Sequence, residues 1–269
     1  MMTLEAARRG CSVLLLESED FGGATSYNSL RIIHGGLRDL QNADLQRYWR
    51  FGRERRWFLE HFPHLVQRLP VLVPLHQRGI MRTEVFRLAF WLDRMLLPGR
   101  DRRGEGDWTI PQGQVLSPEE VQEQFPDVDR NGLTGGALWY DARIPDSQRL
   151  LMQVLRGACR LDATALNYMT ATGLLTSGGR VEGVRARDVE EDETYLYEAP
   201  TVINAAGPWG AEVTSRFGEE GEWFRPQLCA WNVLFDRPAP SSCALGAAPP
   251  RTGAQHFFIH PWKGRMLVG

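Results

Sequence analysis

The 269-residue sequence has no CxxC pair: its four cysteines, Cys11, Cys159, Cys229 and Cys243, stand far apart. That spacing argues against a disulfide framework and against a zinc site, and it points to a reducing compartment. No apolar run reaches the roughly 18 residues that a membrane-spanning helix needs. No secretory signal opens the chain, because residues 1–10 read as an amphipathic, helix-like piece carrying Glu5, Arg8 and Arg9. A formal net charge of −2 offers no electrostatic case for nucleic acid. Internal repeats and low-complexity tracts are missing too. The most informative absence is a glycine-rich phosphate loop: none precedes the apolar run at residues 11–17. What is there is an ordinary globular composition, 43% hydrophobic and 24% charged, enough for one large or two modest domains.

Along the chain, residues 3–9 read as a helix ended by Gly10. Residues 11–16 form a nearly all-apolar run, which suits a strand buried on both faces. A Gly, Ser and Thr-rich loop follows at 18–29, then RIIHGGLRDL, an apolar piece broken by Gly35 and Gly36. Helices are expected at 43–62, 83–97, 117–125 and 147–158. The third has Ser117 as N-cap, Pro118 at its first position and Glu119 and Glu120 in its first turn. A strand and a turn are expected at 137–146, and strands on both sides of Ser177, Gly178 and Gly179 and at 195–198, 202–205, 231–235 and 256–260, with an apolar run at 266–268.

Two segments carry chemistry. CSVLLLE (11–17) reads as a strand that ends on a carboxylate, Glu17. VINAAGPW (202–209) reads as a strand that runs into small residues, where backbone can come close to a ligand. In a dinucleotide-binding fold an acid at the end of the second strand holds the adenosine ribose, about 20 residues after the glycine turn. Counting back from Glu17 passes Met1, so the expectation is that the glycines and first strand lie before this sequence begins. Between the two segments, Thr25, Ser26 and Ser29 supply short hydroxyl donors, and Gly35 and Gly36 allow close backbone approach. A flavin needs that environment: donors along its pyrophosphate and ribityl chain, and backbone against its ring.

The stretch ESEDFGGATSYNSLRIIHGGLRDL resembles the flavin-binding segment of FAD-dependent glycerol-3-phosphate dehydrogenases, a family of the D-amino-acid-oxidase-like flavoproteins. Further matches are Glu54 and Arg55 followed by PHLV, then WYDAR at 139–143, RVEGVRARD at 180–188, VINAAGPW, and IHPWKGRMLVG at 259–269. They cover nearly the whole chain in order. The implied fold is α/β, an FAD-binding Rossmann-like domain, with its first strand and glycine-rich loop missing, interleaved with an antiparallel-sheet substrate domain. The implied division is 1–66 and 146–210 for the FAD-binding segments, and 67–145 and 211–269 for the substrate domain.

By that resemblance Glu17 holds the adenosine ribose, and Thr25, Ser26 and Ser29 face the pyrophosphate and ribityl chain. His34, Gly35 and Gly36 lie beside the isoalloxazine, Ala171 passes the adenine, and Ala206 and Gly207 approach the cofactor closely. Arg38 and, by a looser match, Arg237 contact the substrate phosphate; guanidinium forks suit phosphate because they bind its oxygens bidentately. The implied reaction oxidises sn-glycerol 3-phosphate to dihydroxyacetone phosphate by hydride transfer to flavin N5, with electrons passed to a quinone. The implied location is cytoplasmic, with peripheral contact at the membrane face, for which the apolar segment 83–97 is the candidate.

Some residues depart from the pattern. Asp39 stands where the family has Tyr, beside Arg38, and CAWN (229–232) stands where it has a Gly-x-His. These favour an alternative, a related FAD-dependent 2-hydroxy-acid or amino-acid oxidase. A second alternative is a non-catalytic fragment, motivated by the missing glycine loop and by the family's Gly-Thr-Thr-Asp motif, which begins at Gly269. His256 and His260 read as surface or core-edge histidines, and nothing suggests a metal.

Overall fold

The computed structural model describes residues 1–37, 44–76, 82–96, 109–218, 229–247 and 257–269. In chain order the elements are helix α1 (Met2–Arg8), strand β1 (Leu14–Leu16), α2 (Ala24–Tyr27), β2 (Ile32–Ile33), α3 (Leu45–His61) and β3 (Gln67–Leu75). Then come α4 (Thr83–Leu96), β4 (Gln114–Leu116), α5 (Pro118–Gln124), β5 (Gly135–Arg143), α6 (Ser147–Cys159), β6 (Thr164–Leu166), β7 (Met169–Ser177), β8 (Arg180–Asp188) and β9 (Thr194–Glu198). A 3₁₀ turn (Gly207–Trp209), α7 (Gly210–Arg216), β10 (Val233–Phe235), β11 (Ala244–Ala247), β12 (Phe257–Trp262) and β13 (Arg265–Val268) complete the chain. The fold is α/β, with parallel and antiparallel sheets. It divides into two compact units, Met1–Tyr27 with Gln148–Ala230, and Asn28–Ser147 with Trp231–Gly269. Residues 28–66, grouped with the flavin segment in the sequence reading, cluster with the second unit, because β2 and β3 both pair with β5.

In the first unit β1 and β6 run parallel, with Leu14 opposite Thr164 and Leu16 opposite Leu166. Alanines make close helix packing possible: Ala7 of α1 is buried with Ala158 and Ala163, against Leu4 and Val13. β7, β8 and β9 form an antiparallel sheet. The β7–β8 hairpin closes on Gly178 and Gly179, both at positive φ (55° and 76°), which is what a two-residue hairpin loop of this kind demands. Two sequence expectations change here. The run 11–16 shortens to Leu14–Leu16, and it is not buried on both faces: it pairs with β6 on one side, and Leu14 is 37% exposed. Residues 202–205 are not a strand either. Their side chains suit one, but a strand needs a ladder, and among the described residues none pairs with them.

The second unit is built on an eight-stranded sheet, in the order β10-β13-β12-β11-β3-β5-β2 with β4 also on β5. It is antiparallel except where β11 meets β3. The long β3–β5 ladder runs from Gln67 opposite Arg143 to Leu75 opposite Gly135. Two prolines in QRLPVLVPL mask the strand character of β3. Pro70 and Pro74 are four residues apart and so share an edge, and β11 matches only Val71 and Leu72. Helices α4 and α5 cover the sheet. Val121 of α5 and Phe125, its C-cap, pack with Leu72, Leu116 and Leu138, and Phe86 and Phe90 of α4 pack with Leu75 and Ala137. Each fully buried Leu or Phe in such a layer contributes about 1.5–3 kcal/mol. The expected cap at Ser117 is a complete capping box: Ser117 accepts from Glu120 N, and the Glu120 carboxylate accepts from Ser117 N.

Candidate active site

The second unit centres its polar chemistry on Asp141. Strand β2 pairs with the end of β5, Ile33 opposite Ala142, so the residues just after β2 fall beside Asp141. Asp141 is 3% exposed, yet three donors reach its carboxylate. Gly35 N donates to Oδ1 at 2.7 Å, Arg55 Nη1 donates to Oδ1 at 3.1 Å, and His34 Nδ1 lies 3.0 Å from Oδ2. Burial pushes this carboxyl toward the neutral form. The His34 hydrogen bond, the Arg55 and His34 charges and the Gly35 amide outweigh that burial, so its pKa falls below the ordinary 3.8. Asp141 is therefore an ionised acceptor, and the Nδ1 facing it must carry the proton.

Arg55 reaches this carboxylate from α3, whose buried face carries Tyr48, Arg55 and Leu59. Arg55 is 2% exposed and also donates to Tyr140 O at 2.6 Å. Removing one partner of such a buried pair costs about 3–5 kcal/mol, because it leaves an uncompensated charge. Gly35 is required by this packing: a Cβ there would lie 1.8 Å from Arg55 Nη1. Gly36 has a φ of 83° and would bring a Cβ to 3.2 Å from the Tyr48 backbone. Tyr48 in turn donates to the buried carboxylate of Asp93 on α4.

The turn before β2 is also fixed. Arg31 sits at a φ of 59°, its amide donates to Ser29 Oγ at 3.3 Å, and its guanidinium donates to Ser147 Oγ and stacks on Trp262. His260 is buried at 1% exposure on β12, a core residue rather than a surface one, and its Nε2 donates to Leu30 O at 2.8 Å. Burial lowers its pKa, against the hydrogen bonds to the Leu30 and Pro261 carbonyls. These contacts hold the segment that delivers His34. The His34 side chain is 50% exposed, with Phe258 at 5.5 Å between ring centroids.

The first unit holds a second group of expected residues. Glu17 ends β1, and its Oε1 accepts from Glu19 N at 3.1 Å and from Ser18 Oγ at 3.3 Å. Thr25 and Ser26 are exposed on α2. Ala171 lies on β7 beside a register shift, where the ladder to β8 is interrupted. The NAAGPW turn is locked by Asn204, whose amide donates to Gly210 O and Thr214 Oγ1 and whose oxygen accepts from Ala206 N. Gly207 has a φ of 58°, and a Cβ there would point into open space. These residues fit FAD chemically: a half-exposed carboxylate for ribose hydroxyls, exposed hydroxyls for phosphate oxygens, and a glycine turn with room beside it.

The expected residues thus fall into both units, with Glu17, Thr25, Ser26, Ala171, Ala206 and Gly207 in one and Ser29, His34, Gly35, Gly36 and Arg237 in the other. Ser29 serves the Arg31 turn. Arg237 is exposed next to β10, with its guanidinium over the Phe235 ring at 5.8 Å. Arg38, Asp39 and His256 lie outside the described residues. Arg55 and Asp141 fall within the matched motifs, and the sequence alone assigns them no role. The available signals were an arginine on the buried stripe of α3 and a carboxylate inside the apolar strand ALWYDAR. Among the described residues no cluster of His, Cys, Asp and Glu could hold a metal, and no helix is long and apolar enough to cross a membrane.

Residues 2–269 match the DAO family, described as FAD dependent oxidoreductase. Among curated relatives, the alpha-glycerophosphate oxidase of Streptococcus pyogenes serotype M1 is 32% identical over 272 residues, covering 100% of this chain and 43% of its own. The aerobic glycerol-3-phosphate dehydrogenase of Staphylococcus epidermidis is 33% identical, covering 100% and 47%. The chain spans under half the length of these relatives. Among solved structures, the glycerol-3-phosphate dehydrogenase of Bacillus halodurans complexed with FAD superposes with a TM-score of 0.70 at 23% identity, covering all of this chain and 44% of that one. The L-proline dehydrogenase of P. horikoshii superposes with a TM-score of 0.64 at 13% identity, covering all of this chain and 65% of that one. At these identities the likeness is one of fold.

Proposed function

The chain belongs to the FAD dependent oxidoreductase family, and from that premise we propose that it is the cofactor- and substrate-binding part of an enzyme that oxidises sn-glycerol 3-phosphate to dihydroxyacetone phosphate. The observation that carries this reading is the 32–33% identity, over the full chain, to proteins named alpha-glycerophosphate oxidase and aerobic glycerol-3-phosphate dehydrogenase. FAD, when bound, supplies the acceptor for the two electrons of the oxidation. Glu17 would hold its ribose, and Thr25, Ser26 and Ser29 its phosphates and ribityl chain. Ala171, Ala206 and Gly207 would bring backbone to it, and His34, Gly35 and Gly36 would line the place of reaction. Arg38 and Arg237 would hold the substrate phosphate.

A quinone at a membrane surface is the proposed acceptor downstream. Its support is α4, where Leu88, Trp91 and Met95 are 53–58% exposed along one stripe, with Arg87 and Arg94 exposed beside them. The reading is tested by turnover. The FAD-loaded protein, given sn-glycerol 3-phosphate and an artificial electron acceptor, should release dihydroxyacetone phosphate. Release of a keto acid from a 2-hydroxy acid or an amino acid, with none from glycerol 3-phosphate, would move the assignment to an oxidase of another substrate.

A further inference from the structure

Strand β10 (Val233–Phe235) is an edge of the eight-stranded sheet and pairs with β13 alone among the described strands. Its residues are apolar and uncovered: Val233, Leu234 and Phe235 are 40–41% exposed, and Trp231 just before them is 78% exposed. Soluble proteins ordinarily blunt an edge strand with lysine, proline or a covering element, because its open backbone groups attract another strand. The ladder shows which groups are open. Phe258 and Gly269 exchange both backbone hydrogen bonds, at 2.8 and 3.1 Å. Bonded and non-bonded pairs alternate in an antiparallel ladder, so His260 with Leu267 is the next bonded pair. Pro261, which has no N–H, falls opposite Met266 in a non-bonded pair, in keeping with that alternation. Met266 and Val268 therefore turn their backbone groups to β10, where they meet Phe235 and Val233. Leu234 stands between those two, so its own N–H and C=O face the open edge, and among the described residues no strand meets them.

The residues around Leu234 complement their own reversed order. In an antiparallel pair of two copies centred on Leu234, Val233 falls opposite Phe235, Asn232 opposite Asp236, and Trp231 opposite Arg237. These are favourable cross-strand pairs: β-branched with aromatic, amide donor with carboxylate, and indole with guanidinium. No like charges face each other. We propose that β10 is a self-association edge, through which two copies of the chain pair antiparallel about a two-fold axis at Leu234. The two Leu234 residues exchange both of their edge-facing backbone hydrogen bonds. The Asn232 amide donates one hydrogen to Asn28 Oδ1 at 3.4 Å and has a second for the partner's Asp236. Each Asp236 keeps its ion pair with Arg265 of its own chain, at 2.9 Å. Trp231 is covered by the partner's Arg237; stacking uses the guanidinium's face and leaves its N–H edge for a phosphate. The pairing consumes the edge of both copies and so closes at a dimer. A strand pair this short lies at the small end of interface sizes, which sets a dissociation constant of about 1–100 µM.

Sedimentation velocity of the full chain, over concentrations bracketing about 1–100 µM, tests this. The mass should rise from one chain to two and stop. Leu234→Lys and Leu234→Glu each set like charges across the axis, and each alone should weaken the dimer by at least about tenfold. Mixed in equal amounts, the two variants place Lys opposite Glu and should dimerise again, a recovery that only an axis at this residue gives. Leu234 is 40% exposed, so both variants should keep the wild-type thermal midpoint. A readout without variants is amide hydrogen exchange. The Leu234 amide should become protected as concentration rises, whereas those of Val233 and Phe235, already bonded to β13, should be protected throughout. A wild type that stays monomeric overturns the proposal even if neither variant folds, and so does a dimer in which the Leu234 amide exchanges freely. A mass that grows past two chains, a dimer that both variants leave intact, or a mixture that stays monomeric would each overturn it as well.

Discussion

His34 and Asp141 are 107 positions apart in sequence and share one hydrogen bond, and Gly35, having no side chain, leaves room for Arg55 beside that carboxylate. A methyl at Gly35 would meet the Arg55 guanidinium at 1.8 Å and push it from Asp141. Gly35→Ala should therefore destabilise the fold by at least about 1–3 kcal/mol, the usual cost of overpacking, read as a lower urea midpoint with an unchanged m-value. A midpoint within error of wild type would mean that Arg55 does not occupy this place. His260 gives a second residue-scale test. Its folded pKa lies below the ordinary 6.5, so the unfolded chain binds more protons in the window beneath that value. Stability is fully present above about pH 6.5 and is lost as pH falls toward the depressed folded value. Urea midpoints between pH 8 and pH 5 should show this loss, and His260→Gln, which keeps a donor for Leu30 O, should flatten it. Asp141 adds a separate loss only below pH 3.8, because its folded pKa is lowered from that value. Neither Asp141 nor Arg55 announced its role in the sequence, because the partner of a buried charge is set by tertiary packing that spacing along the chain does not encode.

At the scale of elements, local signals were read well where they are local in origin. Ser117, Pro118 and Glu120 specify the start of α5 by themselves, and Gly178 and Gly179 specify a hairpin. Signals that depend on a neighbour misled. VINA has strand side chains and no ladder among the described residues. The same distinction applies to α4. Its inner face, Phe86, Ala89 and Phe90, is buried, and its outer stripe of Leu88, Trp91 and Met95 stays exposed. If that stripe meets lipid, the protein should co-sediment with vesicles rich in anionic lipid, and Trp91→Glu should abolish co-sedimentation while leaving the thermal midpoint within about 2 °C. Sedimentation unchanged by Trp91→Glu would remove α4 from the membrane reading.

At the scale of the whole molecule, the backbone passes between the two units at residues 27–28, 147–148 and 230–231. The residues proposed for the adenosine end, Glu17, Thr25, Ser26, Ala171 and Gly207, belong to one unit, and His34 belongs to the other. The flavin is the most direct reporter of the proposed activity. The decisive measurement is an anaerobic titration of the FAD-loaded protein with sn-glycerol 3-phosphate, followed in the flavin absorption band. The account predicts that the band bleaches and that dihydroxyacetone phosphate forms in a one-to-one ratio with reduced flavin. A band that stays oxidised with glycerol 3-phosphate, yet bleaches with a 2-hydroxy acid or an amino acid, would contradict it.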